Sequence, residues 1–178
     1  MNRYKNLVFA ALSTALIIAG TYVRIPIGPV PIVLATVFVL LAGLLLDLAW
    51  AAASVLTFLL LGAVGLPVFS SGSGLSYFAG PAGGFLVGYL LSAVVVNLIS
   101  TRDTSRHLPD GIAVVVGTIA IYLTGVPWLK HTLSMTWPEA FVGGLLPYLP
   151  GDALKAVVAY GAYTMLKRRY PELIPRKR

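Results

Sequence analysis

Residues 48–101 read LAWAAASVLTFLLLGAVGLPVFSSGSGLSYFAGPAGGFLVGYLLSAVVVNLIST, a run of 54 positions between Asp47 and Arg102 without one Asp, Glu, Lys or Arg. A water-soluble fold keeps apolar side chains inside and presents charge outside, and a short chain has too little interior to hide such a run. The remaining sequence agrees: of 178 residues, 58% are hydrophobic and 11% charged, and the mean hydropathy is +0.88. Those values lie outside the globular range, and a lipid bilayer is the solvent that fits them. The formal charge of +7 does not call for a nucleic-acid partner, because the basic residues sit at the two ends and in one loop, where a bilayer-orientation signal places them. Cysteine is absent, which removes disulfides, thiol catalysis and cysteine-based zinc sites together.

A membrane span takes roughly 20 apolar residues, and six segments meet that requirement: 7–23, 30–46, 48–65, 80–100, 110–127 and 150–167. Backbone breakers bound them: Gly65-Leu66-Pro67 halts the third, Gly80-Pro81 opens the fourth, Pro127 closes the fifth and Pro150-Gly151-Asp152 opens the sixth. The first run follows Arg3 and Lys5 as a signal peptide would. It is nevertheless long enough to span, and no small-residue cleavage pattern precedes Arg24, so it reads as a retained helix. The expectation is an all-α integral membrane protein, one domain over 1–178 built as a bundle of six transmembrane helices.

Placing the amino terminus inside puts Arg3, Lys5, Arg102, Arg106, Lys167, Arg168, Arg169, Arg176, Lys177 and Arg178 in the cytoplasm and leaves Arg24 and Lys130 outside. That asymmetry orients the bundle with both termini cytoplasmic and a tight cytoplasmic turn at Asp47. The outward connections differ in kind. Residues 69–82 are rich in Gly and Ser, and 127–151 carry Trp128, Trp137 and Tyr148. A ligand site belongs in these loops; equally, their aromatics serve as an interfacial belt.

Small residues mark close helix approach. Gly80, Gly84 and Gly88 recur every fourth position on the fourth helix and read as internal packing, whereas Ala11, Ala15 and Ala19 on the terminal first helix read as a face open to an outside partner.

Asp152 and Lys155 are the informative pair, three positions apart and so on one helix face. Asp152 either caps the sixth helix after Pro150-Gly151 or binds a ligand, and the two roles are compatible. Lys155 falls where the helix dipole is positive and cations are disfavoured, so an anion must compensate it: Asp152, a ligand carboxylate, or interfacial solvent reached by snorkelling. Other chemistry fails on inventory. His107 and His131 lie in loops without carboxylates at metal-ligand spacing, and the serines after Phe69 have no placed base. Asp47 reads as a cap of the third helix. The chain has no Gly-Lys dipeptide, so a phosphate-cradling nucleotide loop is excluded and any uphill work needs another subunit or a gradient.

Val30-Pro31-Ile32, LLAGLLL at 40–46, LLGAVGLPVF at 60–69, GPAGGFL at 80–86, YLTGVPWL at 122–129 and PYLPGDALK at 147–155 together resemble the BioY family, the biotin-specific substrate-capture (S) components of energy-coupling-factor transporters. The resemblance spans most of the chain. It implies a six-helix S-component fold that binds biotin from outside, needs no cofactor, and works with a transmembrane coupling (T) protein and two ATPase subunits. It also implies that Ala11 and Ala15 touch the coupling protein, that Asp152 and Lys155 contact the ligand, and that Phe69 with the 70–74 loop, including Ser71 and Gly72, forms a lid or wall. Biotin offers two ureido N–H donors, a ureido carbonyl, an apolar ring and chain, and a carboxylate. Asp152 is suited to accept the N–H bonds and Lys155 to donate to the carbonyl or carboxylate, with Phe69, Tyr77, Phe85, Tyr122, Trp128 and Tyr148 as apolar walls.

The sequence departs from the family pattern at Val33 and Ala35, where Thr and Gln are usual, and at Ala82 and Phe85, where Thr and Tyr are frequent. These positions leave the identity of the vitamin open. A small intramembrane enzyme acting on lipid through Asp152 and the serines lacks a second acid or base. A purely structural subunit would tolerate loss of both charges at 152 and 155.

Overall fold

A computed structural model describes residues 3–101 and 108–171 of the chain. His107, Arg102, Arg106, Arg176, Lys177 and Arg178 lie outside the described residues. All six anticipated spans are helices: α1 (Arg3–Tyr22), α2 (Ala35–Leu45), α3 (Leu48–Ala63), α5 (Gly83–Ile99), α6 (Leu108–Thr132) and α8 (Leu149–Arg169). Two short helices, α4 (Leu75–Ala79) and α7 (Trp137–Gly144), lie in the two connections expected to be loops, and strands β1 (Arg24–Ile25) and β2 (Ile32–Val33) pair as an antiparallel hairpin between α1 and α2.

α2 sits at the centre, with eight of its eleven residues buried, and α1, α3, α5 and α8 pack around it. The outer helices show one inward stripe each. On α1 this is Asn6, Ala10, Thr14, Ile17, Gly20 and Thr21, the three-and-four spacing of a single helix face. The threonine hydroxyls on that stripe are satisfied internally: that of Thr14 donates to Ser54 O at 2.9 Å and that of Thr21 to Val68 O at 2.8 Å. The opposite faces are apolar and exposed, as at Leu12, Leu60, Val87, Leu91, Ile119, Leu123, Leu154 and Val157. A bundle with polar contacts inside and aliphatic side chains outside is solvated by lipid tails. α1 and α6 are individually long and apolar enough to cross a membrane, while α2, α3 and α5 are apolar but shorter.

Four boundaries differ from the sequence reading. α2 begins at Ala35, because residues 24–33 form the hairpin, whose Pro26, Pro29 and Pro31 favour extended backbone. α6 runs through Pro127 to Thr132; a proline in a lipid-embedded helix removes one backbone bond, and no water competes for the rest. Gly80 caps α4 and is not on α5. α8 begins before Pro150, with Tyr148 at its N-cap, so Asp152 is the fourth helical residue and caps nothing. Asp47 does occupy the N-cap of α3, but without a side-chain cap bond; Asn6 Nδ2 donates to its Oδ2 at 3.2 Å.

The glycines that remain on α5 seat α6. A Cβ at Gly84 would stand 2.2 Å from Trp128 Cβ and 2.6 Å from Thr124 O, and one at Gly88 would stand 2.8 Å from Ile121 Cα, so the two backbones meet only because no side chain intervenes.

Candidate ligand-binding site

α8 enters the bundle after Pro147-Tyr148, and Tyr148 fixes its approach. The phenol is buried and its hydroxyl faces Val30 O at 2.5 Å and Ile27 O at 3.0 Å, tying the start of α8 to the β1–β2 hairpin. Burial pushes this phenol up from its ordinary value, so it stays a donor. One turn further on, Asp152 Oδ1 accepts from Lys155 Nζ at 2.7 Å, with side-chain exposures of 15% and 12%, and its Oδ2 accepts from the Tyr122 hydroxyl of α6. Lys155 is the seventh residue of α8, beyond the first turn where the dipole acts most strongly, and Asp152 is the anion that compensates it.

The pair is satisfied yet not saturated. A carboxylate has about four lone-pair sites and an ammonium three protons, so both acceptor and donor capacity remain. A partner carrying N–H groups and a carbonyl or carboxylate matches that combination. The Asp152 carboxylate also lies within electrostatic reach of the Tyr89 and Tyr148 phenols. Tyr89, Tyr122 and Tyr148 therefore gather round one carboxylate. Tyr89 escaped the sequence reading, although it lies one helical turn from Phe85 and on the same face.

The other anticipated site residues cluster at the same end. Ser71, Gly72 and Tyr77 line a cleft of about 400 Å³ with Pro29, Pro31 and Ala82. The Ser71 hydroxyl accepts from Arg24 Nη1 at 3.0 Å, and Gly72 packs on the Tyr77 ring. Tyr77 stacks on Phe69 with ring centroids 5.0 Å apart, and its hydroxyl lies 2.9 Å from Ser70 Oγ. Phe69 itself is buried, edge-on to Phe58 and Phe78, and so props the 70–74 loop from below. Phe85 meets Tyr122 edge-on at 6.3 Å, and the Trp128 indole N–H donates to Gly80 O at 3.0 Å. Ala11 and Ala15 lie elsewhere, exposed on the side of α1 that faces away from the bundle.

A second ion pair went unforeseen. Lys167 was read as a cytoplasmic charge, but its side chain is buried and its Nζ donates to Asp110 Oδ2 at 2.6 Å. Asp110 in the first turn of α6 and Lys167 in the last turn of α8 each sit where the helix dipole favours their charge.

A lipid-solvated helical bundle with a half-buried Asp–Lys–Tyr cluster under loops at one end defines the class of small-ligand-binding components of membrane transporters. The chain belongs to the BioY family, whose model matches residues 1–172. It is 38% identical over 168 residues to a biotin transporter BioY of Rhizobium etli, covering 87% of this chain and 89% of that one. A biotin transporter BioY of Thermotoga maritima is 37% identical over 161 residues, covering 87% and 91%. The crystal structure of the S-component for biotin from an ECF-type ABC transporter matches with a TM-score of 0.87 at 27% identity, over 98% of this chain and all of that one. The fold is that of an S-component, and the protein is a prokaryotic membrane protein of a transporter family.

Proposed function

We propose that this chain captures biotin and carries it across the cytoplasmic membrane as the S-component of an ECF-type transporter, the whole chain acting as one substrate-capture domain. The observation that carries this reading is the Asp152–Lys155 pair, which keeps spare acceptor and donor capacity at one end of the bundle. Relatives bearing the name biotin transporter support the ligand, whose ureido group and carboxylate present the complementary donors and acceptors. The loop-covered end faces outward and both termini lie in the cytoplasm, in keeping with the basic residues near the chain ends. The exposed Ala11 and Ala15 supply a smooth helix face for a transmembrane coupling protein, which with two ATPase subunits provides the driving force.

Calorimetric titration of the purified protein with biotin tests the proposal. Saturable, near-stoichiometric binding is expected, and hydrogen bonds to charged groups are worth about 1.5–3 kcal/mol. Lys155→Ala and Asp152→Asn should each therefore weaken binding by about 10- to 100-fold. No saturation at micromolar biotin would sink the reading, and mass spectrometry of the copurified ligand would then identify another vitamin. For the partner face, Ala15→Trp should abolish copurification with a coexpressed coupling protein; undiminished copurification would remove α1 from the interface.

A further inference from the structure

Between α6, α7 and α8 lies a cleft of about 690 Å³ with an almost wholly apolar wall, formed by residues including Val115, Ile119 and Leu123 of α6, Trp137 and Phe141 of α7 and Ala153 of α8. Thr118, Tyr122 and Asp152 are the polar residues of its lining. Ile119 and Leu123 are strongly exposed, so the cleft opens sideways. It is separate from the loop-lined cleft that holds Ser71, Gly72 and Tyr77.

We infer that this lateral groove retains one anionic phospholipid, with an acyl chain along α6 and its phosphate at Lys130. Length fits: the lining runs from Val115 to Pro127 on α6, about 18 Å at 1.5 Å per residue, against about 15 Å for one leaflet of a 30 Å hydrocarbon core. Charge fits as well. Lys130 stands in the last turn of α6 with Nζ 5.2 Å from the centroid of Trp137, a wall residue, and among the described residues it makes no ion pair. A cation held at the rim of an apolar groove complements a phosphate whose chain lies within it. The retained chain closes the side of the bundle against which the Asp152 carboxylate would otherwise open.

The test is native mass spectrometry of the full chain extracted from membranes containing phosphatidylglycerol and phosphatidylethanolamine. One retained phospholipid per chain, enriched in phosphatidylglycerol, is expected. Ile119→Trp, which fills the groove, should cut retention at least fivefold; Leu60→Trp, an exposed position on α3, should not; Lys130→Gln should abolish the preference for phosphatidylglycerol. The inference is overturned by a lipid-free native chain, by equal retention in Ile119→Trp and Leu60→Trp, by an unchanged headgroup preference in Lys130→Gln, or by a dimer that Ile119→Trp dissociates. Should Ile119→Trp fail to fold, photocrosslinking of the native chain with a diazirine-chain phosphatidylglycerol decides. Labels concentrated on Leu123 and Phe141 support the groove, and labels spread equally over Leu60 and Leu91 overturn it.

Discussion

Asp152 gives one carboxylate oxygen to Lys155 and the other to Tyr122, so a flexible acid is held in one orientation before any ligand arrives. Pre-ordering of this kind removes part of the side-chain entropy that binding would otherwise cost. If Tyr122 acts in this way, Tyr122→Phe should weaken biotin about tenfold, the loss of one hydrogen bond to a charged group; an unchanged titration would show that Lys155 alone suffices. The pair at 152 and 155 was legible in the sequence because three positions on a helix guarantee a shared face. The orientation by Tyr122 was not, since that hydrogen bond joins residues 30 positions apart. Lys167 shows the same limit more sharply. Its partner lies 57 positions away, and a basic residue near a chain end carries no local sign of being buried.

Helices were legible as elements because lipid imposes a length and a polarity on each. Their ends were less so. Pro127 reads as a stop by a rule drawn from helices in water, yet α6 continues for five residues beyond it, since the freed carbonyl has no competing solvent to unwind the next turn. The second strand of the hairpin, Ile32–Val33, was hidden within the apolar run of 30–46, which continued into α2 without a charge to mark the change. The α5–α6 seam, by contrast, was foreshadowed by Gly84 and Gly88, though not by Gly80. Gly84→Leu should cost about 1–3 kcal/mol through overpacking against Trp128 and Thr124, read as a lowered melting temperature in detergent. The same change at Gly161, where an added Cβ meets nothing within 4 Å among the described residues, should leave the melt nearly unmoved; equal melts would remove the seam from the account.

At the scale of the whole molecule, α6 and α8 are joined by an ion-pair cluster at each end. Tyr122 and Asp152 with Lys155 hold one end, and Asp110 with Lys167 holds the other. The two look alike chemically, and only their surroundings separate them. Asp152 and Lys155 are partly exposed, whereas the Asp110 and Lys167 side chains are 0% and 1% exposed. A buried pair broken from one side leaves an uncompensated charge and costs about 3–5 kcal/mol. A site pair instead shows its worth only when ligand is present, through stabilisation of about 2.7 kcal/mol at a hundredfold excess over Kd. Thermal unfolding with and without saturating biotin therefore divides the two. Lys167→Ala should melt well below the native chain but keep the full biotin-induced rise, while Lys155→Ala should melt close to the native chain and lose most of that rise. If Lys167→Ala also lost the rise, the distant pair would be coupled to capture, and the division of the helix seam into a structural end and a binding end would fail.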